Sequence, residues 1–215
     1  MADQKTRRGR GPSPKKTAET HARICEAALK QFLAEGFERT RMLDVARDAG
    51  VAKGTLYLYF PTKEALFEGV LTQMLGGAIR TLAFEPPAPD EPTRDLLRRA
   101  LMPLLTDDQA HLRQRLFELI LTEGSRFPEV VAAYRKVALE PVFAAAHRIA
   151  ERARLRGEIS SDAIERFPLL LLSPGVLVIT WNRLFPDERL NPPEVFDAYF
   201  SLLFGTAGRK EPTDP

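Results

Sequence analysis

One spacing governs what this chain can fold into. Apolar residues recur three and four positions apart along most of its length, and alternation in steps of two is sustained nowhere. That period lays apolar side chains along one stripe of a helix and along neither face of a strand. In the first such stretch Ile24, Cys25, Ala28, Leu29, Phe32 and Leu33 share a face. Gly36 then serves as a C-cap and lets Phe37 fold back onto the core. A second, shorter helix follows Thr40, its N-cap residue, over RMLDVARDAG, and buries Met42, Val45 and Ala46. A third is predicted from Ala52 to Tyr59. A fourth starts after Pro61 with Thr62 as cap, and its stripe is Leu66, Phe67, Val70, Leu71 and Met74.

The proline-rich FEPPAPDEPT at 84–93 reads as a surface loop. Beyond it the pattern predicts helices at 93–106, 107–125, 128–156, 162–184 and 192–206. Pro128 and Pro192 fall in first turns, where proline is tolerated, while Pro141 lies inside a long helix and should kink it. The fold class is therefore all-α, with about nine helices. The longest apolar run, FPLLLLSPGVLVIT at 167–180, is shorter than the ~20 residues that span a bilayer, and prolines interrupt it. It predicts a buried, kinked helix, and no membrane partner is implied.

Charge divides the chain. Residues 1–63 carry 13 Lys and Arg against 7 Asp and Glu, whereas the remainder carries 18 against 22. A basic front and an acidic back suggest a polyanion-binding module joined to something else. The first 17 residues, MADQKTRRGRGPSPKKT, have almost no apolar side chain and should be disordered. Cys25 is the single cysteine, so an intramolecular disulfide and four-cysteine metal sites are excluded, and its place on the apolar face reads as a small core residue. A cytoplasmic setting fits, since the basic N-terminus lacks the apolar region of a secretory signal.

Residues 40–59 form helix, turn, helix, the arrangement that sets its second helix in the major groove of DNA. Taking Lys53 as zero on a wheel of about 100° per residue, Tyr57 falls near 40° and Gly54 near 100°. Leu56 and Phe60 fall near 300° and 340°, on the side that faces the protein. Thr55 and Tyr59, at roughly 200° and 240°, are placed to meet a phosphate strand. A glycine on the groove face lets the backbone approach the bases, Lys53 and Tyr57 reach base edges or phosphates, and Thr55, Tyr59 and Lys63 offer hydroxyls and a cation to phosphate.

The run GFERTRMLDVARDAGVAKGTLYLYFPTKEALFEGVL resembles the DNA-binding domain of the TetR family of bacterial transcription regulators. Gly36, Phe37, Thr40, Asp44, Val45, Ala46, Ala49, Gly50, Val51, Gly54, Thr55, Leu56, Tyr57, Tyr59, Phe60, Lys63, Glu64 and Leu66 match its pattern without a gap. The resemblance implies base contacts near Lys53, Gly54 and Tyr57 and phosphate contacts from Thr40, Thr55, Tyr59 and Lys63. Ala52 stands where the family usually has Ser, removing a side-chain cap worth about 1 kcal/mol. Arg41 stands where Thr or Ser is common and adds a cation for phosphate.

The resemblance also implies the domain plan: a basic tail at 1–17, a DNA-binding domain at 18–78, a helical effector-binding and dimerisation domain at 79–208 and a disordered tail at 209–215. Two final helices would form the dimer face, with Val195, Phe196, Tyr199, Phe200, Leu203 and Phe204 on the last. A pocket between the middle helices would draw on Met102, Leu105, Leu116, Phe117, Ile120, Phe127, Tyr134, Phe143 and Trp181, a lining suited to a lipophilic or aromatic effector. His21, His111 and His147 are widely separated and predict no metal site, and no cofactor is implied. No nucleotide-binding Gly-rich loop, G-x-S-x-G or paired metal ligands point to an enzyme. The function expected is a homodimeric repressor at the nucleoid, released from a palindromic operator by a small molecule. The alternative is a DNA-binding or architectural factor without an effector, or a regulator gated by a protein partner.

Overall fold

A computed structural model describes residues 14–83, 85 and 87–205. Among them every regular element is helical. The chain divides into two compact units, one ending at Val70 and the other starting at Leu71, so the boundary lies within a helix.

The first unit holds α1 (Pro14–Arg39), α2 (Met42–Asp48), α3 (Lys53–Tyr59) and the start of α4 (Lys63–Ala83). Of the predicted basic tail, residues 1–13 lie outside the described residues, and 14–17 form the first turn of α1 rather than disordered chain. At Gly36 the backbone turns left-handed (φ 82°), a conformation open to glycine and costly for other residues. The break sends Phe37 back into the core as expected. There Phe37 stacks on Phe32, centroids 5.7 Å apart, and both rings meet the Phe67 ring edge-on. Ile24, Cys25, Ala28, Val45, Leu56, Leu66 and Val70 complete the core. Burial pushes the Cys25 thiol up to about 12, so it behaves as a small apolar side chain. Thr62 caps α4, its hydroxyl accepting from the Ala65 amide at 3.2 Å.

The second unit continues α4 and adds α5 (Thr93–Leu101), α6 (Pro103–Thr106), α7 (Ala110–Glu123), α8 (Pro128–Tyr134), α9 (Glu140–Leu155), α10 (Ala163–Arg166), α11 (Ser173–Leu184) and α12 (Pro192–Phe204). Small residues let α9 pack closely: Ala145, Ala146, Ala150 and Ala153 meet Leu97 and Leu101 of α5 and Phe196 and Phe200 of α12 in one core.

Several predicted helices are subdivided. Between α8 and α9 the helix widens into a π-turn over Arg135–Leu139, closed by the Glu140 amide donating to the Arg135 carbonyl. Pro141, which has no N–H to donate, thereby falls in the first turn of α9. The apolar run at 167–180 is not one buried helix. Pro168–Leu172 is a 3₁₀ segment, α11 begins at Ser173, and Phe167, Leu169 and Leu177 are exposed.

The proline-rich loop is held from below by one row of arginines on α9. Arg148 donates to the Ala83 carbonyl, Arg152 to the Glu91 carbonyl and the Thr93 hydroxyl, and Arg156 to the Pro89 carbonyl. Glu158 accepts from the Thr93 amide and from Arg156. Burial alone would raise this carboxyl, but those hydrogen bonds hold it below the usual range.

Candidate functional site

α3 has one buried contact point, Leu56, which pins it inside the first unit. Its N-cap is Ala52 with no side-chain hydrogen bond, as the departure from Ser implies. The opposite side of α3 is open. Lys53, Gly54 and Tyr57 are exposed there, and the Lys53 ammonium lies 5.8 Å from the centre of the Tyr57 ring. A methyl group built on Gly54 would meet no heavy atom within 4 Å. Gly69 in α4 is the contrast: a Cβ there would lie 2.5 Å from the buried Phe60 ring, so internal packing demands that glycine. Nothing inside the protein demands Gly54, although glycine costs a helix roughly 1 kcal/mol relative to alanine.

Thr55 and Tyr59 are half-buried on the flank, and the Tyr59 ring meets His21 edge-on, centroids 6.3 Å apart. Arg41 is exposed at the N-cap position of α2, which sequence reasoning assigned to Thr40. Thr40 is instead buried, its hydroxyl donating to the Gly36 carbonyl at 2.7 Å, so it braces the end of α1 and its side chain is not offered to phosphate. Lys63 departs from expectation in a similar way. Its ammonium donates to the carbonyls of Phe37 and Glu38 at 2.8 and 3.0 Å and sits over the Phe37 ring. These are the free carbonyls of a helix end, and a cation is favoured there. The groups presented outward are thus Arg41, Lys53, Gly54 and Tyr57, with Thr55 and Tyr59 partly so.

The second unit contains an apolar cleft of about 720 Å³, partly open to solvent. Leu105, Leu116, Phe117, Ile120 and Tyr134 of the predicted set line it. Met102, Phe127, Phe143 and Trp181 do not. Met102 packs on the main core, and the Trp181 indole donates to the Glu188 carbonyl. Leu75, Leu104, Ile179 and Phe196 were not foreseen, nor were Arg113 and Gln114. The last two precede Phe117 by four and three residues on the same stripe of α7, so helical phase could have found them. Arg113 is tied to the carbonyls of Pro103 and Leu104 and to Asp107. Burial pushes the Tyr134 phenol up, so it stays protonated in the cleft.

The predicted dimer face on α12 is largely internal. Phe196 and Phe200 are core residues, the Tyr199 hydroxyl donates to the Leu170 carbonyl at 2.7 Å, and Leu203 and Phe204 lean on the core. Val195 is half-buried. The apolar groups that α11 and α12 turn outward are Leu177, Leu184 and Leu202, the last 87% exposed. Both sides of α12 are apolar, and periodicity alone does not say which side the core takes.

Among the described residues no group of three His, Cys, Asp or Glu is placed to hold a metal ion, and no helix is long and apolar enough to cross a membrane.

The family model for bacterial regulatory proteins of the tetR family matches residues 24–70, which include α2 and α3. The HTH-type transcriptional regulator YhgD of Bacillus subtilis (strain 168) is 38% identical over 172 residues, 79% of this chain and 85% of that protein. The HTH-type transcriptional regulator UidR of Escherichia coli (strain K12) is 30% identical over 161 residues, 74% and 80% of the two chains. A solved structure of the transcriptional regulator FadR from Bacillus subtilis in complex with stearoyl-CoA shares the fold, with a TM-score of 0.66 at 20% identity, covering 86% of this chain and 98% of that one. The relatives are regulators of transcription, and the open face of α3 is where their helix-turn-helix meets DNA. The chain belongs to the tetR family of bacterial regulatory proteins.

Proposed function

We propose that this protein is a homodimeric transcriptional repressor that grips a palindromic operator through α3 and lets go when a lipophilic molecule enters the cleft of the second unit. The observation that carries the DNA half is Gly54. It stands exposed, with no atom near enough to explain the missing side chain, so the explanation lies with a surface that approaches the helix from outside. Lys53 and Tyr57 beside it supply base or phosphate contacts, and Arg41, Thr55 and Tyr59 supply phosphate contacts that fix register. Two copies would present their α3 helices about 34 Å apart to meet successive major grooves. Leu177, Leu184 and Leu202 form an outward apolar set suited to the partner's same residues in a two-fold interface.

The effector half rests on the cleft. Its own side chains leave about 720 Å³ unfilled, which favours an effector over a regulator without one. The FadR relative in fold holds stearoyl-CoA, and a lining of leucines with Phe117 supports a ligand of similar lipophilicity here. For release, the ligand must bind the non-operator state more tightly than the operator-bound one.

Selection from random duplexes at low ionic strength tests the first half: enrichment of a two-fold symmetric sequence is expected, and failure to hold any duplex rejects it. Thermal-shift assays with long-chain acyl-CoAs, aromatic compounds and polar metabolites test the second half. Stabilisation by the first two classes, with loss of the selected duplex, is expected. Stabilisation by polar metabolites alone overturns it.

A further inference from the structure

We infer that Leu58 reads the 5-methyl group of a thymine in each operator half-site, and so is a specificity-determining residue of the recognition helix. The inference deepens the proposed DNA reading and rests on it. Leu58 is 82% exposed, although it lies within a helix whose neighbouring residue on either side is tyrosine. A lone exposed leucine is ordinary on a protein surface. Its position is what carries the argument.

Leu58 follows the buried Leu56 by two residues, about 200° around the helix, and so points away from the protein. It follows Gly54 by four residues, so the two occupy neighbouring places on one face. On one side of this pair stand Lys53 and Tyr57, with the ammonium leaning over the ring. On the other stand the hydroxyl-bearing Thr55 and Tyr59. The crest of the outward face is therefore a bare backbone and an isobutyl group, and the polar side chains flank it.

A crest of that kind offers no side-chain hydrogen bonds to a base edge. Set against guanine or adenine, Leu58 would cover the N7, O6 or N6 groups and leave them unpaired, which is unfavourable. The base group in the major groove that suits an aliphatic side chain is the thymine methyl. Gly54 supplies the close approach that a four-carbon side chain needs to touch it, while the flanking cation and hydroxyls hold the phosphates on either side. Leu58 thus adds apolar readout to an interface whose other outward groups are polar.

The experiment starts from a duplex enriched by the wild-type protein. Each thymine is replaced, symmetrically in both half-sites, by deoxyuridine, which removes the methyl group and keeps every hydrogen bond. The wild type should lose affinity at one thymine per half-site by about fourfold for each methyl, hence roughly tenfold or more for the pair. Leu58→Ala should bind the parent duplex more weakly and show no further loss at that thymine, while its helicity and dimerisation match the wild type. If no deoxyuridine weakens wild-type binding, or if Leu58→Ala stays sensitive at the same position, the inference is overturned and the DNA reading stands. If the wild type holds no duplex at all, the DNA reading fails and Leu58 falls with it.

Discussion

The Lys63 ammonium donates to the Phe37 carbonyl at 2.8 Å and stands 4.5 Å from the centre of the Phe37 ring. A side chain from the first turn of α4 thereby closes the end of α1, a structural duty that the family pattern would have read as a phosphate contact. Lys63→Met keeps hydrocarbon over the ring and removes the charge-assisted hydrogen bonds. It should lower the unfolding free energy by about 1–2 kcal/mol in urea titrations. The slope of log affinity against log salt should stay unchanged. Lys53→Ala should do the reverse, reducing that slope by about one with stability intact.

Gly54 and Gly69 predict opposite outcomes for the same substitution. Gly54→Ala places its methyl in open space and should stabilise the fold by up to about 1 kcal/mol. It should also weaken operator binding about tenfold or more, within the range of a lost base contact. Gly69→Ala drives a methyl into the Phe60 ring, which is confined by His21, and should cost about 1–3 kcal/mol of stability. Thermal denaturation with mobility-shift titration separates the two. A Gly54→Ala variant that binds operator as well as wild type would remove the main support for the α3 interface.

On α12, Leu202 and Phe200 lie two residues apart and should fail in different ways. Leu202→Glu should yield a folded monomer by sedimentation, with operator affinity lost because two half-sites are no longer gripped together. Phe200→Ala empties a fully buried site and should cost about 3–5 kcal/mol whatever the oligomeric state.

Cys25 predicts an alkaline limb. Its thiol ionises near 9.0 when free and is pushed up to about 12 by burial, so the folded chain keeps a proton that the unfolded chain releases. Stability from this group is complete below pH 9 and declines as pH rises from 9 toward 12. Cys25→Ala should flatten the early part of that decline, between pH 9 and 10. A thiol reagent at pH 8 should react with the unfolded protein and spare the folded one.

How much of this could be read beforehand follows from how local each feature is. The break at Gly36, the Thr62 cap and the burial of Leu56 depend on residues within a turn or two, and pattern reasoning located all three. Lys63 and Thr40 went astray because a long or polar side chain chooses its partner in three dimensions. Lys63 finds carbonyls 25 and 26 residues upstream. Leu58 went unmarked because an exposed leucine has no signature until its neighbours on the face are known. In the second unit, apolar spacing located helices but could not choose between two apolar sides, which is why α12 was read inside out. The arginine row on α9 was missed because its partners are backbone carbonyls of a distant loop, and those carry no residue identity.

The widened turn at Arg135–Leu139 sets the phase of everything after it. Removing one residue there would restore a regular helix on paper, but it would also swing the following side chains by about 100°. Ala145, Ala146 and Ile149 would leave the core, and bulkier neighbours such as His147 and Arg148 would enter. This stretch resembles ordinary helix and behaves as a spacer of fixed length, so a deletion scan through the chain should find it far less forgiving of a missing residue than of a changed one.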